Sequence, residues 1–167
     1  SAMALRLREL HPRVPFIYVI TPTGDELPDM YQHWQELSRR LKTRLTVIRH
    51  PRLLNGLIED TGALPNWRQR WCTRQLKIAP FMAYLRSLQD VGHEVVTYVG
   101  LRVDEPEREG GDYAKLPGVL ATFPLREWFW GLQEVLGYLD AINLKIPKRT
   151  DCARCFFQTL SEWYNLW

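Results

Sequence analysis

The sequence has few cysteines and no long apolar run, and each shortage excludes a class of protein. It holds three cysteines in 167 residues, an odd number that does not fit the disulfide framework of a small secreted scaffold. A reducing compartment, and hence the cytoplasm, is therefore expected. No apolar run approaches the roughly 18 residues needed to cross a bilayer, so we predict no membrane-spanning segment. The sequence also lacks internal repeats and low-complexity segments.

The rest of the composition is typical of one globular domain. Apolar residues make up 46% of the chain and charged residues 25%, which are ordinary proportions for a folded protein. The formal net charge of +3 suits an anionic small ligand or nucleic acid without identifying either. Composition thus leaves the function open, and local patterns must decide it.

Strand-like and helix-like segments alternate along the chain. Apolar, β-rich runs predict strands at residues 16–20, 45–48, 94–99 and 119–123. Helical spacing of apolar residues predicts helices at 30–41, 73–88 and 125–142, with a further helix at the end of the chain. Residues 53–66, with at most one short helix, and residues 102–118 are predicted to be loops. This order predicts an α/β fold in which helices flank a mostly parallel sheet.

Two cysteines near the end of the chain, Cys152 and Cys155, have a spacing that lets two thiolates face one metal ion. Three interpretations stay open: ligands of a metal or cluster, a redox dithiol, or two unremarkable cysteines. Ligation is favoured over the dithiol, because a thioredoxin-type pair normally opens a helix after the first strand. Cys72 lies at a predicted helix start among cations, which favours a thiolate, although a lone cysteine beside Trp71 is more often a buried small hydrophobe. We predict that the three cysteines share one site.

Ligands of parallel sheets bind at the C-terminal ends of the strands, where this sequence has two candidate segments. Thr23 and Gly24 follow the first strand and open a helix, so their backbone N–H groups are candidates for binding phosphate. The alternative is a plain turn in which Asp25 caps the helix. The second segment, after the third strand, is either an anion-binding loop or a mixed-charge surface loop; its candidate residues are Gly100, Arg102 and Arg108.

A third basic segment surrounds Cys72. Its cations are Arg68, Arg70, Arg74 and Lys77. They are either a binding site for phosphate or sulfate, or the solvated face of a helix.

The order of five motifs resembles the PAPS reductase-like branch of the PP-loop superfamily. These motifs are Thr-Gly-x-Glu-Leu-Pro from Thr23, Arg-Trp-Cys-Thr-x-x-Leu-Lys from Arg70, Tyr-Val-Gly-Leu-Arg-x-Asp-Glu from Tyr98, Pro-Leu-Arg-Glu-Trp from Pro124, and the final Cys-x-x-Cys. The branch includes sulfonucleotide reductases and the sulfur-inserting enzyme of DNA phosphorothioation. The resemblance extends from about residue 15 to residue 163.

The resemblance implies a nucleotide-binding α/β domain at residues 1–142 and a cysteine-bearing segment at 143–167 that packs on it. The implied ligand is an adenine nucleotide, either ATP or PAPS/APS, with Mg²⁺ as a further candidate. The implied nucleotide-binding residues are Ser1, Thr23, Gly24, Gly100, Arg102 and Arg108. The implied phosphate- or sulfate-binding residues are Arg70, Arg74 and Lys77. No catalytic residue is assigned.

This sequence departs from the family pattern at three points. The Ser-Gly-Gly-x-x-Ser/Thr phosphate loop is missing, and the residues from Ser1 resemble its end, so we expect a strand and loop upstream in the natural protein. Cluster-bearing relatives have two adjacent cysteines where Trp71 and Cys72 stand, followed by a Cys-x-x-Cys about 80 residues later, as Cys152 follows Cys72 here. The Glu-Cys-Gly-Leu-His motif of the reductases is also missing, which argues against plain PAPS or APS reductase activity.

The resemblance therefore implies a [4Fe–4S] cluster on Cys72, Cys152 and Cys155 whose fourth ligand is unknown, since a cluster with four cysteine ligands needs one more. Three-cysteine clusters occur in related tRNA-thiolating enzymes. Zinc, with His93 as fourth ligand, is the alternative metal.

Three classes of function remain open. The first is a PP-loop enzyme, either a sulfurtransferase or adenylating enzyme or a sulfonucleotide reductase-like oxidoreductase. The second is a non-catalytic or zinc-binding module in which tryptophans pack against a partner protein. The tryptophans concerned are Trp128, Trp130, Trp163 and Trp167. The third is nucleic-acid modification, in which the basic residues from Arg68 to Lys77 touch the phosphate backbone. The sequence identifies neither the acceptor substrate nor the oligomeric state.

Overall fold

A computed structural model describes residues 1–110, 116–150 and 152–165 of the chain. Trp167 and the centre of the predicted 102–118 loop lie outside these residues. The strands are β1 (Val19–Ile20), β2 (Thr46–Val47), β3 (Val95–Tyr98) and β4 (Val119–Thr122). The helices are α1 (Ala2–Leu10), α2 (Pro28–Leu41), α3 (Leu53–Thr61), α4 (Trp71–Thr73), α5 (Ala79–Asp90), α6 (Pro124–Glu127), α7 (Leu132–Ala141) and α8 (Leu160–Tyr164).

The strands form parallel pairs, which confirms the predicted α/β class. β1 pairs with β2, and β3 pairs with β4. In the second pair Val96 stands opposite Leu120, and these side chains are 45% and 62% exposed. Parallel sheets are usually covered on both faces, so this pair leaves an apolar face open within the described part of the chain.

The helices bury three separate clusters of apolar side chains. One joins α1, α2 and α7 through Leu5, Leu41 and Leu139. A second joins α3 to the helical segment after residue 70 through Leu54, Leu57 and Leu76. The third joins α5 to the strand pair β3–β4. The second cluster matters most for function, because Cys72 and Cys152 pack against it.

The predicted helix at residues 73–88 begins earlier and contains an irregular turn. Between α4 and α5 the chain forms a π-helical turn over Arg74–Ile78. Such turns are rare in helices and frequently occur at functional sites. Leu76 at its centre is fully buried, while Arg74 and Lys77 are exposed.

The single helix predicted at residues 125–142 is wrong, because the chain breaks it into α6 and α7. Phe129 has a φ of 57°, a left-handed conformation that interrupts a right-handed helix. Gly131 precedes α7, and its N–H donates to the Glu134 carboxylate at 2.8 Å. Asp104 accepts a hydrogen bond from the backbone N–H of Leu132 at 3.0 Å. These contacts start a new helix where apolar spacing alone predicted a continuous one.

Two other predictions differ in extent. The predicted loop at 53–66 contains the nine-residue helix α3, which buries Leu54 and Leu57. The predicted strand at 16–20 pairs only over β1. No helix among the described residues is long and apolar enough to cross a membrane.

Candidate functional site

The turn after β1 is closed by the side chain of Glu26. Its carboxylate accepts hydrogen bonds from the Thr23 hydroxyl at 2.8 Å, from the Thr23 backbone N–H and from the Gly24 N–H at 3.0 Å. Thr23 is 3% exposed. The N–H groups predicted to bind phosphate therefore already bind an anion, and that anion belongs to the protein.

Gly24 is required at this turn for a steric reason. Its φ is +86°, and an added Cβ would stand 2.8 Å from Cδ1 of Leu53. Both the positive φ and the close approach disfavour any other residue. Gly100 differs, since an added Cβ there would meet only ordinary contacts, the nearest being Sδ of Met3 at 3.9 Å.

The Cys-x-x-Cys segment docks on the same turn. Arg154, between the two cysteines, forms an ion pair with Asp25, with Nε 3.1 Å from Oδ2 and Nη2 2.5 Å from Oδ1. The Asp25 carbonyl accepts a hydrogen bond from Ala153 N–H at 2.7 Å. Glu26 and Cys152 form an isolated antiparallel bridge. The alternative role of Asp25 as a helix cap is wrong, because Leu27 is the N-cap of α2.

The three cysteines are free thiols, each partly buried. Cys72 and Cys152 both pack against the cluster of Leu54, Leu57 and Leu76. Burial raises the pKa of Cys152 to about 12, the charge of Cys155 adds to this rise, and Lys77 opposes it. Cys152 is therefore a protonated thiol at neutral pH in this metal-free arrangement, and a metal that bound it would release that proton.

The thiols do not form a metal site in this arrangement. Among residues 1–110, 116–150 and 152–165, no group of three or more His, Cys, Asp or Glu side chains could hold a metal ion. His93, the candidate fourth ligand of zinc, lies in the turn before β3. The described residues thus do not gather the donors that the implied cluster needs, and we derive no step through it. The metal itself stays a prediction, which the iron, sulfide and zinc content of protein purified without oxygen would decide.

The segment that we call the basic segment, residues 67–77, carries four cations. They are Arg68, Arg70, Arg74 and Lys77. No carboxylate forms an ion pair with any of them in the described part of the chain. Arg70, Thr73, Arg74 and Ile78 line a shallow depression of about 340 Å³. Among the residues that the structure describes, the positive charge of the basic segment is therefore uncompensated, and it lies beside an open surface.

The loop after β3, residues 100–110, compensates its own charge. Arg102 Nε donates to Asp104 at 2.8 Å, and Arg108 donates to Glu105 at 2.7 Å. The hydrogen bond from Arg102 and that from the Leu132 N–H hold the pKa of Asp104 below its usual value. The predicted anion-binding arginines of this loop are thus already paired with carboxylates.

Family membership follows from a comparison of the whole chain. Residues 1–149 match the family model described as the phosphoadenosine phosphosulfate reductase domain. The chain belongs to this family. A search of curated proteins finds no match. The family match confirms the resemblance and spans the first four of the five motifs, ending just before Cys152 and Cys155.

Within this phosphoadenosine phosphosulfate reductase family domain, the predicted nucleotide-binding residues are not all adjacent to one another. Ser1 lies against α2, where its hydroxyl is 2.7 Å from Nε2 of His33. Thr23 and Gly24 form the turn that receives the Cys-x-x-Cys segment, and Cys72 reaches the same region from α4.

Sequence reasoning missed two arginines that hold these parts together. Arg154 joins the cysteine segment to the turn after β1, and Arg126 donates to the carbonyls of Glu105 and Arg108 at 2.6 Å each. The sequence signal was weak in both cases. The partner of Arg154 is 129 residues away, and the partners of Arg126 are backbone carbonyls.

Proposed function

We propose that this family member binds an adenine nucleotide that carries phosphate or sulfate, namely ATP, APS or PAPS, and takes part in sulfonucleotide or sulfur-transfer chemistry. The observation that carries the proposal is the depression lined by Arg70 and Arg74, where no described carboxylate competes for the cations. The family match supports the class of ligand.

The chemistry of the segment fits an anionic group. Guanidinium groups donate paired hydrogen bonds to phosphate and sulfate oxygens. All three cations are exposed, with Arg70 just before α4 and Arg74 and Lys77 in the π-helical turn. An anion bound there would gain hydrogen bonds without first displacing any carboxylate that the structure describes.

Thiols near this segment make sulfur chemistry a reasonable assignment. Cys72 lies between Arg70 and Arg74 in the sequence, and the charge of Lys77 lowers the pKa of Cys152 against the larger effect of burial. A bound sulfonucleotide would thus have its anionic end near groups able to accept or deliver sulfur. Contact of the adenosine with Thr23, Gly24 or Gly100 stays a prediction.

Calorimetric titration with PAPS, APS, ATP and adenosine tests the proposal. We expect the anionic nucleotides to bind and adenosine to bind much more weakly. Arg74→Ala should weaken PAPS binding roughly tenfold, because it removes a charge-assisted hydrogen bond. Arg86→Ala is the matched control, since Arg86 is also exposed, on α5, and does not line the depression. Equal affinity for adenosine and PAPS, or equal losses in both variants, would overturn the proposal.

A further inference from the structure

Two exposed aromatic rings lie against the cations of the basic segment. The guanidinium carbon of Arg68 is 4.7 Å from the ring centroid of Trp67, and that of Arg70 is 4.9 Å from the centroid of Phe157. Trp67 is 69% exposed and Phe157 is 61% exposed. Large rings left open to solvent beside cations need an explanation, because neither ring contributes to a core cluster.

The charge of this region exceeds that of the whole chain. Residues 61–89 contain no aspartate or glutamate and five cations, whereas the complete chain has a net charge of only +3. An acid-free stretch of this length concentrates positive potential on one surface, where it attracts a polyanion from solution.

Specific contacts hold the rings in place. The Asn66 side chain accepts hydrogen bonds from the N–H groups of Arg68 and Gln69 at 3.0 and 2.9 Å, which fixes the turn that carries Trp67. Phe157 precedes Gln158, which is buried and donates to the Cys152 carbonyl at 3.0 Å. The rings are therefore presented on ordered backbone.

We propose that Trp67, Phe157 and the cations of the basic segment form a binding surface for single-stranded nucleic acid. Unpaired bases would stack on the two rings, and the cations would contact the phosphates of the strand. Open rings interleaved with cations are the combination that binds single strands without sequence preference. A duplex offers phosphates but keeps its bases stacked inside, so it would use only the charges.

This surface extends beyond the depression assigned to the mononucleotide. Trp67, Arg68 and Phe157 do not line that depression, although Arg70 belongs to both. Phe157 also lies outside the part of the chain that the family model matches. The inference therefore does not depend on the proposed nucleotide site and can fail separately from it.

The test is fluorescence anisotropy with a labelled oligothymidylate of about 16 nucleotides. We expect binding at about 50 mM salt that weakens toward about 200 mM, with log K falling against log salt by roughly 0.7 for each phosphate contacted. Trp67→Ala and Phe157→Ala should each weaken oligonucleotide binding roughly tenfold. Trp67→Ala, whose ring does not contact Arg70, should keep its PAPS affinity within about twofold of the parent. Phe129→Ala is the control, because Phe129 is 78% exposed and does not contact a basic-segment cation.

Three results would overturn the inference. The first is no binding of the oligonucleotide at low salt, and the second is unchanged binding in both aromatic variants. The third is equal or tighter binding of a duplex of the same length or of anionic phospholipid vesicles, which would show that charge alone is recognised. Arg68→Gln is an additional variant that keeps the Trp67 ring. It should weaken oligonucleotide binding and reduce the slope of log K against log salt by roughly 0.7, the value for one phosphate contact.

Discussion

The loop after β3 and the basic segment have similar arginines in different surroundings. In the loop, Arg102 and Arg108 are both paired with carboxylates, and Glu105 contacts each of them. In the basic segment, Arg70 and Arg74 have no carboxylate partner among the described residues. The sequence of both regions predicted anion binding. The two regions differ in whether a carboxylate of the protein already pairs with the arginines.

This difference has an energetic consequence. A phosphate that approaches Arg102 must compete with Asp104 and Glu105, so part of its binding energy replaces contacts that already exist. A phosphate at Arg74 faces no such competitor in the described part of the chain, and its binding costs mainly the ordering of a flexible side chain. The loop arginines therefore suit a structural role, and those of the basic segment suit a ligand.

Replacing Arg126 should have the largest effect. It tests whether the contacts of the loop after β3 stabilise the fold rather than bind a ligand. Arg126 is half-buried and donates to the carbonyls of Glu105 and Arg108. Arg126→Ala leaves these acceptors without their donor, so we expect a loss of about 2–3 kcal/mol in the free energy of unfolding, measured by urea denaturation. Arg108→Ala, which removes only a largely exposed ion pair, should cost less than about 1 kcal/mol. Equal losses would contradict the structural role of Arg126.

The sequence was sufficient to predict the α/β class, the parallel pairing and the family. Cys72 and Cys152, two of the three cysteines predicted to share one site, pack on the same leucines, and the shared site itself stays a prediction. The class, the pairing and the family follow from periodic apolar patterns and motif order, which are local. The break between α6 and α7 was not predictable in this way, because it depends on Asp104, 28 residues before the N–H that it accepts from.

The sequence identified candidate site residues more readily than it showed whether each one already has a hydrogen-bond or ion-pair partner within the protein. Glu26 lies three residues after Thr23, in a Thr-x-x-Glu spacing that allows its carboxylate to turn back, but the sequence interpretation did not use this spacing to predict that the Thr23 N–H is occupied. The ion pair of Asp25 with Arg154 joins residues 129 positions apart. Charge neutralisation here uses sequence neighbours, as in Arg102 with Asp104 and Glu105, as well as tertiary contacts, so a motif can predict a cation without predicting whether it is free.

Replacing Lys77 should have an intermediate effect and tests whether an unpaired cation acts on a nearby thiol. Burial raises the pKa of Cys152 to about 12, and Lys77 opposes that rise. Lys77→Ala should therefore raise this pKa further, reduce the thiolate fraction and slow iodoacetamide alkylation of Cys152 a few-fold at about pH 9. Mass spectrometry of the labelled peptide measures the rate, and Lys77→Arg should retain most of it. Faster alkylation in Lys77→Ala would contradict the electrostatic effect.

The raised pKa of Cys152 also predicts that the free energy of unfolding decreases as the pH becomes alkaline. A thiol whose pKa is higher in the folded state stabilises the fold below its unfolded pKa, near 8.5. This contribution is lost as the pH rises from there toward about 12. Cys152→Ser, whose hydroxyl does not titrate in this range, should flatten the alkaline part of the stability profile in urea denaturation.

Replacing Arg102 should have the smallest effect, and it tests the comparison most directly. Because Arg102 is held by Asp104 and Glu105, Arg102→Ala should leave PAPS affinity within about twofold of the parent, whereas Arg74→Ala should lower it roughly tenfold. Calorimetry of both variants under the same conditions gives the ratio. A large loss in Arg102→Ala would mean that the nucleotide displaces the loop carboxylates, and pairing in the free protein would then no longer distinguish structural arginines from ligand-binding ones.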